Sequence, residues 1–67
     1  MKRTMKGIRT DAGLTREEMC SVLKQNGVSM TPRQLMSREN GNTKWTAIEV
    51  AVIMDIFDIK DIGDISL

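Results

Sequence analysis

Met30-Thr31-Pro32-Arg33-Gln34-Leu35-Met36-Ser37-Arg38-Glu39-Asn40-Gly41 reads as one complete short helix with both ends written into it. Thr31 and Gln34 make a capping box: the threonine hydroxyl accepts from the amide three residues on, and the glutamine reaches back to the threonine amide. Pro32 stands at the first helical position, where its missing amide proton has no helical partner to lose. Met30 and Leu35 bracket the box as a hydrophobic staple. Asn40-Gly41 closes the helix by turn chemistry. Leu35 and Met36 are expected to face inward, which turns Arg33, Gln34, Ser37 and Arg38 outward.

The same grammar recurs on both sides. Thr15-Arg16-Glu17-Glu18 is a second box, with Leu14 and Met19 as its staple, and Thr46-Ala47-Ile48-Glu49 is a third, with Trp45 and Val50. Working outward from these starts, apolar spacings of three and four predict helices over 3–12, 16–25, 32–39 and 47–56. Met5, Ile8 and Ala12 mark the inner face of the first; Met19, Cys20, Val22 and Leu23 mark that of the second. Gly13 and Asn26-Gly27 supply the stops. The fourth segment is apolar nearly all round and is expected at the centre of the domain. Ile56, Ile59, Ile62 and Ile65 recur every third residue with aspartates between them, which predicts a short fifth helix near 59–63 and then a frayed or partner-bound end. The fold class expected is all-α, four to five helices in one domain over 1–67.

Sixty-seven residues place the chain near the lower limit for a self-supporting core. There is no histidine and one cysteine, so neither an intrachain disulfide nor a four-ligand zinc site can add stability. No metal or cofactor is expected. Cys20 is read as a buried, inert thiol, and the methionines as core filler. Lys2, Arg3 and Lys6 precede no apolar stretch, so no signal peptide is expected. The longest apolar run, Val50 to Met54, is far short of a membrane span. Residues 1–44 carry nine basic and four acidic side chains, net +5, and the remainder one basic and five acidic, net −4. A basic front and an acidic tail suggest surfaces that face different partners.

In this order of elements the chain resembles the Cro/CI-type, lambda-repressor-like family of helix-turn-helix regulators, from about Met5 to Ile62. Arg9-Thr10-Asp11-Ala12-Gly13-Leu14-Thr15 is similar to the end of the family's first helix and its turn, Thr15 to Cys20 to its second helix, Glu39-Asn40-Gly41 to the close of its recognition helix, and Trp45 to Ile53 to its fourth helix. The resemblance implies a scaffold ion pair between Arg9 and Glu39. Three departures stand out. Eighteen residues separate Cys20 from Glu39, with a surplus at Lys24–Met30, so the turn exceeds the usual length of about 3–4 residues. Trp45 replaces a proline, and is read as a half-buried staple residue. Arg16 replaces a glutamine and keeps a group able to hold phosphate.

What the resemblance implies is sequence-specific binding of double-stranded operator DNA by a small transcriptional regulator of phage or mobile-element type. It would work in the bacterial host cytoplasm, at the nucleoid, as a homodimer joined through the tail from Ile56 to Leu67. Arg33 can read guanine and Gln34 adenine in the major groove, while Ser37 serves a base edge or a phosphate. Arg38 is placed on the backbone. Thr15, Arg16 and the amides around them form one positive helix end for phosphate, Thr31 is placed on the DNA at the start of the recognition helix, and Asn40, Asn42, Thr43 and Lys44 follow that helix in a loop that touches the backbone in the family, with Lys2, Arg3 and Lys6 as a mobile arm. The alternative is a protein-binding module on the same fold, such as an anti-repressor that captures a partner regulator; the long turn and an exposed isoleucine stripe would favour it. An enzyme is not expected, because the chain has no histidine, no cysteine pair and no glycine-rich phosphate loop.

Overall fold

A computed structural model describes residues 2–67. The helices are α1 (Met5–Asp11), α2 (Arg16–Gln25), α3 (Pro32–Glu39) and α4 (Ala47–Ile56). A two-residue strand β1 (Arg3–Thr4) precedes them, and a 3₁₀ turn (Ile62–Asp64) runs into a second short strand, β2 (Ile65–Ser66). The protein is therefore mostly helical, with one small parallel ladder in the register Arg3 to Ile65 and Thr4 to Ser66.

Every helix starts on a threonine and closes on a left-handed residue. Thr15, Thr31 and Thr46 each cap with both halves of the box in place. Thr4 caps α1 through a 2.9 Å bond from the Gly7 amide, without the reciprocal half because glycine has no side chain to return. Each cap of this kind contributes about 0.5–2 kcal/mol. At the other ends Gly13, Gly27 and Gly41 take positive φ, and so does Asp58 after α4, at φ 54. The amide after each of them turns back to a carbonyl of the last helical turn: Leu14 to Arg9, Val28 to Leu23, Asn42 to Ser37 and Ile59 to Met54. This is the Schellman closure, which satisfies carbonyls the helix leaves open.

The core gathers Met5, Ile8, Met19, Cys20, Leu23, Val28, Leu35, Val50, Ile53 and Ile65. Leu14, Met30 and Trp45, the outer members of the three staples, pack partly buried against it. The six-residue link from Asn26 to Thr31 is also part of this packing, since Val28 is buried and Met30 half-buried. The long turn is thus a packed connection rather than a free loop.

Several expectations need correction. The first helix begins at Met5, not at residue 3, because Arg3 and Thr4 are drawn into the ladder. Arg3 also lies 3.3 Å from Asp11, so it is no mobile arm. The third inward position of α1 is Arg9, and Ala12 is exposed. Helix 59–63 is replaced by the shorter turn at 62–64, where the Asp61 carboxylate accepts from the Gly63 amide at 2.8 Å and competes with a continuing helix. The tail is not frayed: Ile65 is buried in the core, Ile56 and Ile59 are half-buried, and Ile62 alone of the four is open. Helix α4 is not central. It buries Glu49, Val50 and Ile53, and leaves Ile48 73% exposed on the opposite face, because so small a domain has no second layer to cover it. Met36, finally, is 40% exposed beside a Leu35 that is 1% exposed. Helix α3 therefore buries a single residue, and its outward face is wider than the sequence suggests.

Candidate nucleic-acid interface

Helix α3 is held from below by charge as well as by Leu35. Arg9, on α1, donates from Nε to Glu39 Oε2 at 2.7 Å and from Nη2 to Oε1 at 3.3 Å. Its remaining nitrogen, Nη1, donates to the Leu14 carbonyl at 2.8 Å. Both side chains are out of water, 8% and 1% exposed. Arg16, at the start of α2, adds a third bond, from Nε to Glu39 Oε1 at 3.1 Å. One carboxylate at the end of α3 thereby ties three helices together. Two-pronged guanidinium–carboxylate contact fixes orientation as well as distance, so the pairing sets the angle at which α3 is presented.

A second tie runs to α4. Arg38 donates from Nε to Glu49 Oε1 at 2.9 Å, and the same oxygen accepts from the Thr46 amide at 3.0 Å. Glu49 closes the Thr46 capping box and anchors α3 at once. That explains why a glutamate is turned inward on α4 while Ile48 is turned out.

These contacts divide the expected contact residues. Arg38 is only partly outward: it is 16% exposed and its Nε is committed to Glu49, while it still lines the outer face of α3. Arg16 is not free either, although it is 31% exposed and its terminal nitrogens make no hydrogen bond among the described residues. Thr31 is exposed, with its hydroxyl accepting from the Gln34 amide at 3.1 Å. Gln34 is exposed too, and its Oε1 accepts from the Thr31 amide at 3.0 Å. With that oxygen engaged, Gln34 faces outward chiefly as a donor. Arg33 is exposed and has no ion-pair partner among the described residues.

The segment after α3 folds back onto it. Ser37 Oγ and Thr43 Oγ1 are 2.7 Å apart, and the Ser37 carbonyl accepts from the Asn42 amide at 2.9 Å. Asn40, Asn42 and Lys44 stand exposed along this return. A shallow concavity is lined by Thr31, Arg33, Gln34, Ser37, Arg38 and Thr43. A second depression lies where the start of α2 meets α3, with Thr15, Arg16, Glu17, Pro32, Arg33 and Met36 in its walls. The structure thus brings Thr31, Arg33, Gln34 and Ser37 together on one surface, with Asn40, Asn42 and Lys44 following from the end of α3.

For three residues the placement carried no usable sequence signal. Thr43 meets Ser37 only through the path the chain takes after Gly41. Glu49 reads as a capping residue, and nothing local reveals its second bond. Met36 follows Leu35 in an apolar pair, and the turn of the helix alone does not say which of the two is open.

Every buried side-chain nitrogen and oxygen among the described residues has a partner. No group of three or more potential metal ligands occurs among them. Burial pushes the Cys20 thiol above its usual range, and the charges of Glu17 and then Glu39 push it the same way, so the sulfur is a protonated, poor nucleophile at neutral pH. No helix among the described residues is long and apolar enough to cross a membrane. Comparison with protein families, curated proteins and solved structures returned no match to this chain.

Proposed function

We propose that the protein is a helix-turn-helix regulator of the lambda-repressor-like kind, which binds duplex DNA with α3 as its reading helix. The observation that carries this is the contrast across α3. Its inner side is locked by Leu35 and by the Arg9–Glu39 and Arg38–Glu49 pairs, while Arg33 and Gln34 stand open at its capped start. A guanidinium held on a rigid, exposed helix start matches the acceptor pair O6 and N7 of guanine in the major groove. Gln34, as a donor, suits an acceptor edge or a phosphate. Thr31, Ser37, Asn40, Asn42 and Lys44 serve the backbone alongside, and the free end of Arg16 meets a phosphate at the start of α2. One eight-residue helix reads few base pairs, so two copies on a two-fold-symmetric site are expected. The operator, a cytoplasmic setting and a regulatory role all belong to this same reading.

The test is a fluorescence anisotropy titration, at two salt concentrations, against a duplex that the protein selects from a random-sequence pool. Arg33→Ala should weaken binding by about 1–3 kcal/mol through the lost bidentate contact, with no change in melting temperature. Binding should also fall steeply with salt. Absence of any duplex affinity at low salt refutes the proposal.

A protein-binding module is the second reading. The packed link and the buried Ile65 remove two reasons for it, but the open Ile48 on α4 favours it. Capture of a regulator protein together with duplex indifference would establish it.

A further inference from the structure

Met36 is a large apolar side chain placed on the surface that the rest of α3 makes polar. It is 40% exposed, and it follows Arg33 by three positions, which sets the two side chains side by side on the helix. Both line the depression at the start of α2, with Arg16 across from them. Met36 therefore stands as an apolar tip on a rim that is otherwise mostly charged and polar, with Arg33 and Arg16 on it and the Glu17 carboxylate beside them. The edge of the major groove offers donors and acceptors at every base pair but only one apolar projection, the C5-methyl of thymine. From this match we infer that Met36 is a specificity-determining contact to a thymine methyl group, an inference that rests on the DNA-binding reading of α3.

The helix geometry also places that thymine. Three residues advance about 4.5 Å along the axis, against about 3.4 Å per base step. The thymine lies one or two base steps from the guanine that Arg33 reads. Methionine suits the task because its unbranched, polarisable side chain adapts to the methyl without a fixed rotamer. Alanine at this position would lose the reach and leave the fold intact, since Met36 is not among the buried core.

The experiment starts from the wild-type protein and a duplex it selects from a random pool. Each thymine of the selected site is replaced in turn by deoxyuridine, which removes the methyl and nothing else. Anisotropy titrations then compare the wild type with Met36→Ala at fixed salt. One thymine per half-site, next to the selected guanine, should weaken wild-type binding about fourfold when demethylated, the value of one buried methyl group. Met36→Ala should bind the unmodified site about fourfold more weakly and be indifferent to the replacement. A selected site that tolerates every deoxyuridine overturns the thymine contact while leaving DNA binding intact. Equal sensitivity in Met36→Ala assigns the methyl to another residue and overturns it as well. Failure to select any duplex removes both the contact and the DNA-binding reading.

Discussion

Replacing Glu39 by alanine tests the scaffold at its most concentrated point. The carboxylate is 1% exposed and accepts from Arg9 twice and from Arg16 once. Its loss leaves the Arg9 guanidinium, itself 8% exposed, with the Leu14 carbonyl as its single remaining acceptor. Stranding one charge of a buried pair removes about 3–5 kcal/mol. Arg16 adds little to this figure, because at 31% exposure it can turn back to water. A domain of 67 residues has roughly 3–10 kcal/mol in all. At about 4–8 °C per kcal/mol, Glu39→Ala should lower the melting temperature by at least about 12 °C, and a weakly stable domain would not fold at all. Two further variants separate the causes. Glu39→Gln keeps the shape and loses the charge, and should fall between. The double replacement Arg9→Met with Glu39→Leu strands no charge and should recover most of the loss. Calorimetry or thermal circular dichroism reads all three. If Glu39→Ala melts within about 4 °C of the wild type, a drop worth under about 1 kcal/mol, the pair behaves like a surface contact and the reasoning fails.

Further outcomes follow from other parts of the structure. Ile65→Ala empties a core position and should destabilise by about 2–5 kcal/mol, measured by urea denaturation; a change below about 1 kcal/mol would return the tail to the solvent. Asp58→Gly relieves an L-residue at φ 54 and should raise stability by about 1 kcal/mol, because the Asp58–Lys60 contact it removes lies in open water. A melting temperature that drops would show that the aspartate has an unseen role. For Cys20 the sign is set by a raised thiol value in the folded state. Its stabilising effect is complete below the unfolded value and is lost as pH rises through the folded one. Stability should therefore decline at alkaline pH above about 9.0, the ordinary thiol value, and Cys20→Ala should flatten that part of the curve. An unchanged slope in the variant would locate the decline elsewhere.

The residues themselves determined the starts of α2, α3 and α4 and the stops that follow α1, α2 and α3. Thr15, Thr31 and Thr46 with their partners three residues on, and the glycines at 13, 27 and 41, act over a single helical turn, so their spacing contains all the geometry they need. The Arg9–Glu39 contact was available only through the family resemblance, since no local rule joins positions thirty apart. Tertiary structure alone decided the rest. Arg16 and Arg38 read as outward cations from their places on the helices, and both turned out to serve carboxylates that packing brings within reach. Met36 reads as inward by its chemistry and stands outside, and Ile48 faces solvent from a helix expected at the centre. The isoleucine stripe was broken up when the end of the chain paired with its beginning. In each case the outcome depends on which faces a small core can cover, and that is a property of the assembled helices: hydrophobicity says that a side chain prefers shelter, and only the neighbouring elements decide whether there is any.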